Sequence, residues 1–406
     1  MAAIIETVGR PGTFDAGESF FDSVSREGTF TTSIWITENP DRPGTFMEYT
    51  PFGVYENPLT ADRVATRRHE LLNSNMTTLG AFDGVTGASL SETANATLKR
   101  GGSMSATDVE QGVDWLTQRI HAIFDVDGYG QWGLGVFVAS VPQEDWSGDT
   151  RRWSSIELLD VASVLDEATL EDAYALAAGA VVTDAIKALI ELTGESSAAV
   201  TDSTKTLSTA KVFDDPEQSV LGIINALANS IGYFALATDR DGAFRVQPYV
   251  KPGDRPVRWE FIDGETCTYR PDLSLTRDLY HVPNHVRAYT QGTPDTAGLV
   301  VNVYNDNSDS PFSRANRGRT ITKRVQADAT DADALLTIAQ RALIEATTPS
   351  TTIMIDALPV PASVNDAVRF RRIPAGIDAR CVVSKIEHGA GHTALARFTL
   401  TEVVEV

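Results

Sequence analysis

Few residues in this chain have both the type and the spacing for chemistry. His388 and His392 stand four apart, the spacing at which two imidazoles on one helix face could share a metal ion. Gly-Ala-Gly lies between them and favours a turn joining two strands, no third ligand type is close by, and no metal is expected. Asp125-Val-Asp127-Gly128 opens like a calcium loop, but the later acidic positions of such a loop are missing and Asp-Gly is a turn dipeptide. Asn305 to Ser310 is rich in oxygens that could meet a cation, and the same composition describes an exposed loop. Glu157 with Asp160, and Asp214 with Asp215, are neighbours of the kind acid–base catalysis would use, yet among 55 acidic residues such pairs arise by chance. Gly-x-Ser-x-Gly, His-Glu-x-x-His, a phosphate-cradling glycine loop and a Cys–His arrangement are all absent, so neither an enzyme nor a cofactor is predicted. Cys267 and Cys381 lie too far apart in sequence for a ligand pair and read as small buried hydrophobes.

Charge is more informative. The net charge is −21, and residues 101–200 hold 17 acidic against 4 basic side chains, more than half of the imbalance. Such a field repels phosphate backbones, which argues against sequence-specific nucleic-acid binding and suits a surface past which DNA slides. Against this background Arg314, Arg317, Arg319, Lys323 and Arg324 form a basic cluster, expected to meet the acidic segment of a neighbouring copy. The N-terminus has no basic and apolar leader, and the longest uncharged apolar stretch, Ala173 to Thr183, is too short to span a bilayer, so a soluble cytoplasmic protein is expected.

The elements that would position these residues predict a β-rich α+β chain: two antiparallel β-rich domains, each a small β-barrel or sandwich, separated by an α+β segment. Residues 1–58, with Arg-Pro-Gly-Thr-Phe at 10–14 echoed at 42–46, read as an arm or β-ribbon. Residues 59–165 read as a first barrel. Thr60 is expected to cap a helix running to Leu72, Leu90–Leu98 to be a strand, and Trp132, Leu134, Val136 and Val138 to line one face of another. Residues 166–280 read as the α+β layer, with a helix from Thr169 to Gly179, one after Thr183, and one capped by Asp215 with Pro216 at its first position. Asp239-Arg-Asp-Gly242 signals a hairpin. Residues 281–406 read as a second barrel of seven strands with one packed helix over Asp331–Thr347.

Several segments resemble minor tail proteins of long-tailed bacteriophages, within these the baseplate hub or tail-tip family. They are Tyr55-Glu-Asn-Pro58, Leu79-Gly-x-Phe82-Asp-Gly-Val85, Val113-Asp-Trp-Leu116, Trp132-x-Leu134-Gly-Val-Phe137, Trp153-x-x-Ile156-x-Leu158-x-Asp160, Pro283-Asn-His-Val286 and Ser384-Lys-Ile-Glu-His388, spread over residues 55–405. The resemblance implies a homotrimeric ring in which each copy gives two tube-like barrels that continue the tail tube. It further implies distal-tail or tail-tube, tape-measure and receptor-binding proteins as partners, a place at the tail tip of the virion after assembly in the host cytoplasm, and passing contact with DNA. In such a ring Asp125, Asp127, Glu144 and Asp145 are expected to face the lumen. The alternatives are a tail protein that recognises surface carbohydrate through Trp132, Trp146 or Trp153, and a glycoside hydrolase using paired carboxylates.

Overall fold

The structure, a computed structural model, describes residues 64–403 apart from 108–111, 128–129, 149, 197, 208, 265–266, 278–279, 292–297, 328–331, 348–350 and 391–394, together with two short strands nearer the N-terminus. Those strands, β1 (Trp35–Glu38) and β2 (Phe46–Tyr49), pair antiparallel within a unit of residues 1–62, and residues 63–406 form the second unit.

The second unit begins with β3 (Ala65–Leu72), β4 (Thr78–Ala81), β5 (Val85–Thr93), β6 (Arg100–Thr107), β7 (Arg119–Val126), β8 (Gly130–Ser147) and β9 (Thr150–Asp160). They are antiparallel in the order β5-β6-β9-β8-β7-β3-β4 and curve round one core that includes Leu71, Leu90, Met104, Phe124, Phe137 and Ile156. Between β3 and β5 there is no ladder among the described residues. Arg67 of β3 spans the gap, donating through Nη1 to the carbonyls of Ala88 and Gly389 at 2.8 Å each.

The helical layer follows: α1 (Ser163–Glu167), β10 (Tyr174–Leu176), α2 (Val182–Leu192), β11 (Ala198–Val200), β12 (Lys211–Phe213), α3 (Val220–Ser230), β13 (Ala237–Thr238) and β14 (Phe244–Val246). Leu165, Ile186, Leu189, Ile224 and Leu227 make its core. Next come β15 (Val257–Ile262), β16 (Tyr269–Arg277), β17 (His285–Tyr289), β18 (Val300–Tyr304), α4 (Arg314–Arg317), β19 (Thr322–Gln326), α5 (Ala332–Thr347), β20 (Thr351–Ala357), β21 (Ala367–Arg372), β22 (Ile377–His388) and β23 (Ala396–Glu402). β15, β16 and β20–β23 wrap a second sheet core holding Phe261, Phe370, Phe398 and Leu400, while β17–β19 form a separate small sheet under α5. β22 joins the two large sheets. Its first half pairs with β21, its second half with β5, and a register shift between Val383 and Lys385 against β23 re-aims it midway. Among the described residues no helix is long and apolar enough to cross a membrane.

The β-rich α+β class is as expected; several local expectations are not. Residues 65–72 are a strand, not a helix: Arg67, His69 and Leu71 turn inward while Thr66, Arg68 and Glu70 alternate outward or half-buried. Good helix formers hid that period, and sheet context overrode them. β5 stops at Thr93, and the Lys99 ammonium holds the next turn by donating to the carbonyls of Ala94 and Ala96. Residues 169–176 are extended, pairing Tyr174–Leu176 with Lys211–Phe213, and the helix sits earlier at 163–167. Ser219, not Asp215, caps α3, its Oγ accepting from the Gly222 amide at 3.1 Å, and Asp215 instead closes a turn by accepting from the Glu217 amide. In β8 a shift of register opposite Ala122 and Ile123 swaps faces, so Phe137 rather than Val138 continues the sheet core behind Leu134, and Val138 packs against the helical layer.

Candidate functional site

The inner ends of the two large sheets meet the 238–241 turn in a cluster of buried charges. Glu92 of β5 lies opposite Arg100 of β6 and accepts from its Nη2 at 2.5 Å. Arg100 Nη1 also donates to the Thr238 carbonyl and, at 3.0 Å, to its hydroxyl. The fully buried Asp160, at the end of β9, accepts from the Arg100 amide, the Ala162 amide and the Thr238 hydroxyl at 2.8–3.1 Å. Arg240 reaches across to Ser363, whose amide donates to Asp366. Gly133 makes room for the turn: a Cβ there would stand 2.5 Å from the Arg240 carbonyl oxygen. Burial pushes the Glu92 carboxyl up, against the pull of Arg100 and Arg240. Burial, with Arg67 and Arg240 close by, pushes the His388 imidazole down to about 3 and keeps it neutral. A second buried pair, Arg119 with Glu195, ties β7 to the end of α2. These contacts lock the sheets and helical layer to one another.

Other predicted residues separate. Asp160 is buried and Glu157 is exposed on the opposite face of β9, so they share no cleft, and Asp214 and Asp215 lie on the surface. His392 and Gly128 fall outside the described residues. Among the described residues no three His, Cys, Asp or Glu side chains cluster closely enough to hold a metal. In the Asn305–Ser310 loop Asn305 donates to Ser310 Oγ and accepts from the Asn307 amide, Asn307 accepts from the Asp309 amide, and Asp306 accepts from Arg314.

The four acids split. Register places Asp125 and Asp145 on the side away from the sheet core, since Asp125 pairs with Gln131 while Phe124 faces inward, and Asp145 pairs with Arg152 while Trp153 faces inward; Asp127 lies in the turn just beyond β7. Glu144, opposite Trp153, takes the core-side face of the β8–β9 hairpin beyond the core, where Arg151 binds both its oxygens at 3.0 Å. Arg151 also stacks 4.5 Å from the Trp153 ring. Trp153 is buried and Trp132 packs against the core, which removes both from a carbohydrate surface; Trp146 is 64% exposed.

The basic cluster is not one patch. Arg314 is clamped by Asp306 through two bonds of 2.7 Å, which also holds that carboxyl below the usual range, and Arg317 donates to the carbonyls of Val282 and Tyr280. Arg319 lies over the Tyr280 ring. Lys323 and Arg324, adjacent on β19, point to opposite faces. Sequence reasoning missed Arg287, which register places beside Arg324, and it missed the buried cluster; charged residues at inward positions of β3, β5 and β6 were the available signal.

No protein-family model and no curated protein matches the sequence. Solved structures do match in fold. A 43 kDa tail protein of prophage MuSo2 from Shewanella oneidensis is 12% identical with a TM-score of 0.59, the match covering 84% of this chain and 98% of that one. A tail protein from Neisseria meningitidis MC58 is 14% identical with a TM-score of 0.57, covering 83% and 97%. This chain has the fold of phage tail proteins. A prophage tail protein from Listeria monocytogenes EGD-e, 10% identical with a TM-score of 0.54, spans 82% of this chain and 94% of its own. The likeness is to the class of protein that the sequence motifs resemble, and it extends over more than four fifths of this chain.

Proposed function

We propose that this chain is a structural protein of a phage tail tip, a baseplate hub that assembles as a homotrimeric ring, continues the tail tube and conducts DNA during ejection. The observation that carries the reading is the shared fold over 94–98% of three tail proteins. Two curved sheets per chain, antiparallel but for the β15–β21 pair and joined through β22, supply six tube segments in a trimer. Asp125, Asp127 and Asp145 are the acids assigned to the lumen wall, where fixed negative charge keeps DNA from adhering. Partners are a distal-tail or tail-tube protein, the tape-measure protein and other tail-tip or receptor-binding proteins. The protein resides in the virion tail after assembly in the host cytoplasm, and no enzymatic role is assigned. Sedimentation of the chain with and without its neighbouring tail proteins tests the ring, and antibody labelling of purified particles tests its place. Three copies at the tail tip are expected; a chain that stays monomeric with every tail partner overturns the reading.

A further inference from the structure

The small sheet β18-β17-β19 carries α5 on one face only. Val286 and Ala288 pack there against Leu335, Ala339 and Leu343, and the other face is open. On that face register lines up Tyr304, His285 and Thr322 in one row and Asn302, Arg287 and Arg324 in the next. The first row is spent internally. His285 stacks on Tyr304 at 4.3 Å and 8°, its ring nitrogens lie 2.8 Å from Thr322 Oγ1 and 3.1 Å from Asn302 Oδ1, and Arg314 sits 4.0 Å from the Tyr304 ring centre. In the second row only Asn302 is spent, on the His285 ring. Arg287 and Arg324 are exposed side by side, and among the described residues neither makes an ion pair or a side-chain hydrogen bond. Two like charges on neighbouring strands repel, and an unshared guanidinium pair is matched by carboxylates that accept from both forks.

The same chain presents the complement. Segments 169–174 and 213–219 run side by side, fixed by Tyr174 opposite Phe213 and Thr169 opposite Ser219. They and the end of α1 expose Glu167, Glu171, Asp172, Asp214, Asp215 and Glu217, and no lysine or arginine occurs from 153 to 186. We infer that the Arg287–Arg324 face docks this acidic surface of a second copy. Two different patches on one chain that fit each other make a head-to-tail contact, which gives a ring where its rotation closes and a filament where it does not, rather than a two-fold dimer. The inference thus rests on the ring proposed above and names a contact within it.

Sedimentation velocity of the full chain at low and moderate salt tests it. R287E/R324E should weaken self-association about tenfold or more, D172K/D215K should do the same, and the four changes together in one chain should restore it. Both arginines are exposed and unbonded, so an unchanged melting temperature accompanies the loss. Wild-type assembly that R287E/R324E leaves intact overturns this contact and spares the ring, as does a loss that the four-fold exchange does not repair. A duplex DNA fragment that binds wild type but not R287E/R324E, with assembly unaffected, assigns the face to phosphate instead. A wild type that is monomeric in every condition, alone and with its neighbouring tail proteins, removes the ring itself.

Discussion

His388 is the residue on which burial acts most visibly. Its folded pKa is about 3 against an ordinary 6.5, so between those values the unfolded chain takes up a proton that the folded chain refuses. The stability this confers is present above pH 6.5 and is lost as pH falls, at up to about 1.4 kcal/mol per pH unit. His388→Gln should therefore flatten the fall of melting temperature between pH 6.5 and 4 relative to wild type, and parallel curves would show that the imidazole is not held neutral. Gly133 makes a complementary point about space. An alanine there meets the Arg240 carbonyl at 2.5 Å and the His121 ring at 2.9 Å, and since the first is backbone the turn must retreat. Gly133→Ala should cost about 1–3 kcal/mol in chemical denaturation, and a neutral result would mean that the turn is not tightly docked.

Among the elements, what was legible in the sequence is what local chemistry decides. The strands at 351–357 and 367–372, the helix over 332–347 and the hairpin at 239–242 follow from period, cap and turn residues that agree with one another. The misreadings share a cause: tertiary pairing settled segments whose residues allow two structures. Ala-Thr-Arg-Arg-His-Glu-Leu-Leu is good helix sequence that β7 and β4 recruit as a strand. Asp215-Pro216 has the pattern of a helix start, yet the helix waits for Ser219, whose hydroxyl also donates to Asp166 of α1 and so links two helices at their ends. Ser219→Ala should lower stability by about 1 kcal/mol while Asp215→Ala, at the exposed turn, leaves it nearly unchanged; the reverse order would return the cap to Asp215. The buried cluster was illegible for a different reason. Inward charges at Glu92 and Arg100, opposite one another on β5 and β6, signal burial, but Asp160 and Arg240 come from distant stretches, and single-chain spacing carries no sign that they meet that pair.

At the scale of the whole molecule the acid excess has to be divided between solubility and passage of DNA, and the placement of the four acids makes the division testable. Asp125 and Asp145 share the outward side of the first sheet, and among the described residues neither is clamped by a guanidinium as Arg151 clamps Glu144. Lumen charge that repels DNA should come from the acids of that wall rather than from Glu144, because an ion pair leaves little net field beyond about a Debye length of 8 Å at physiological salt. Particles carrying Asp125→Asn, Asp127→Asn and Asp145→Asn together should eject their genome more slowly with tail assembly unaffected. Glu144→Gln should leave ejection unchanged and loosen only the Arg151 hairpin. The slowing should also shrink as ionic strength rises, since screening removes the repulsion from wild type as well. Equal ejection rates in the triple variant and wild type at low salt would leave the acidic surface to solubility alone, and slowing by Glu144→Gln as large as that of the triple variant would place the lumen on the other face of the sheet.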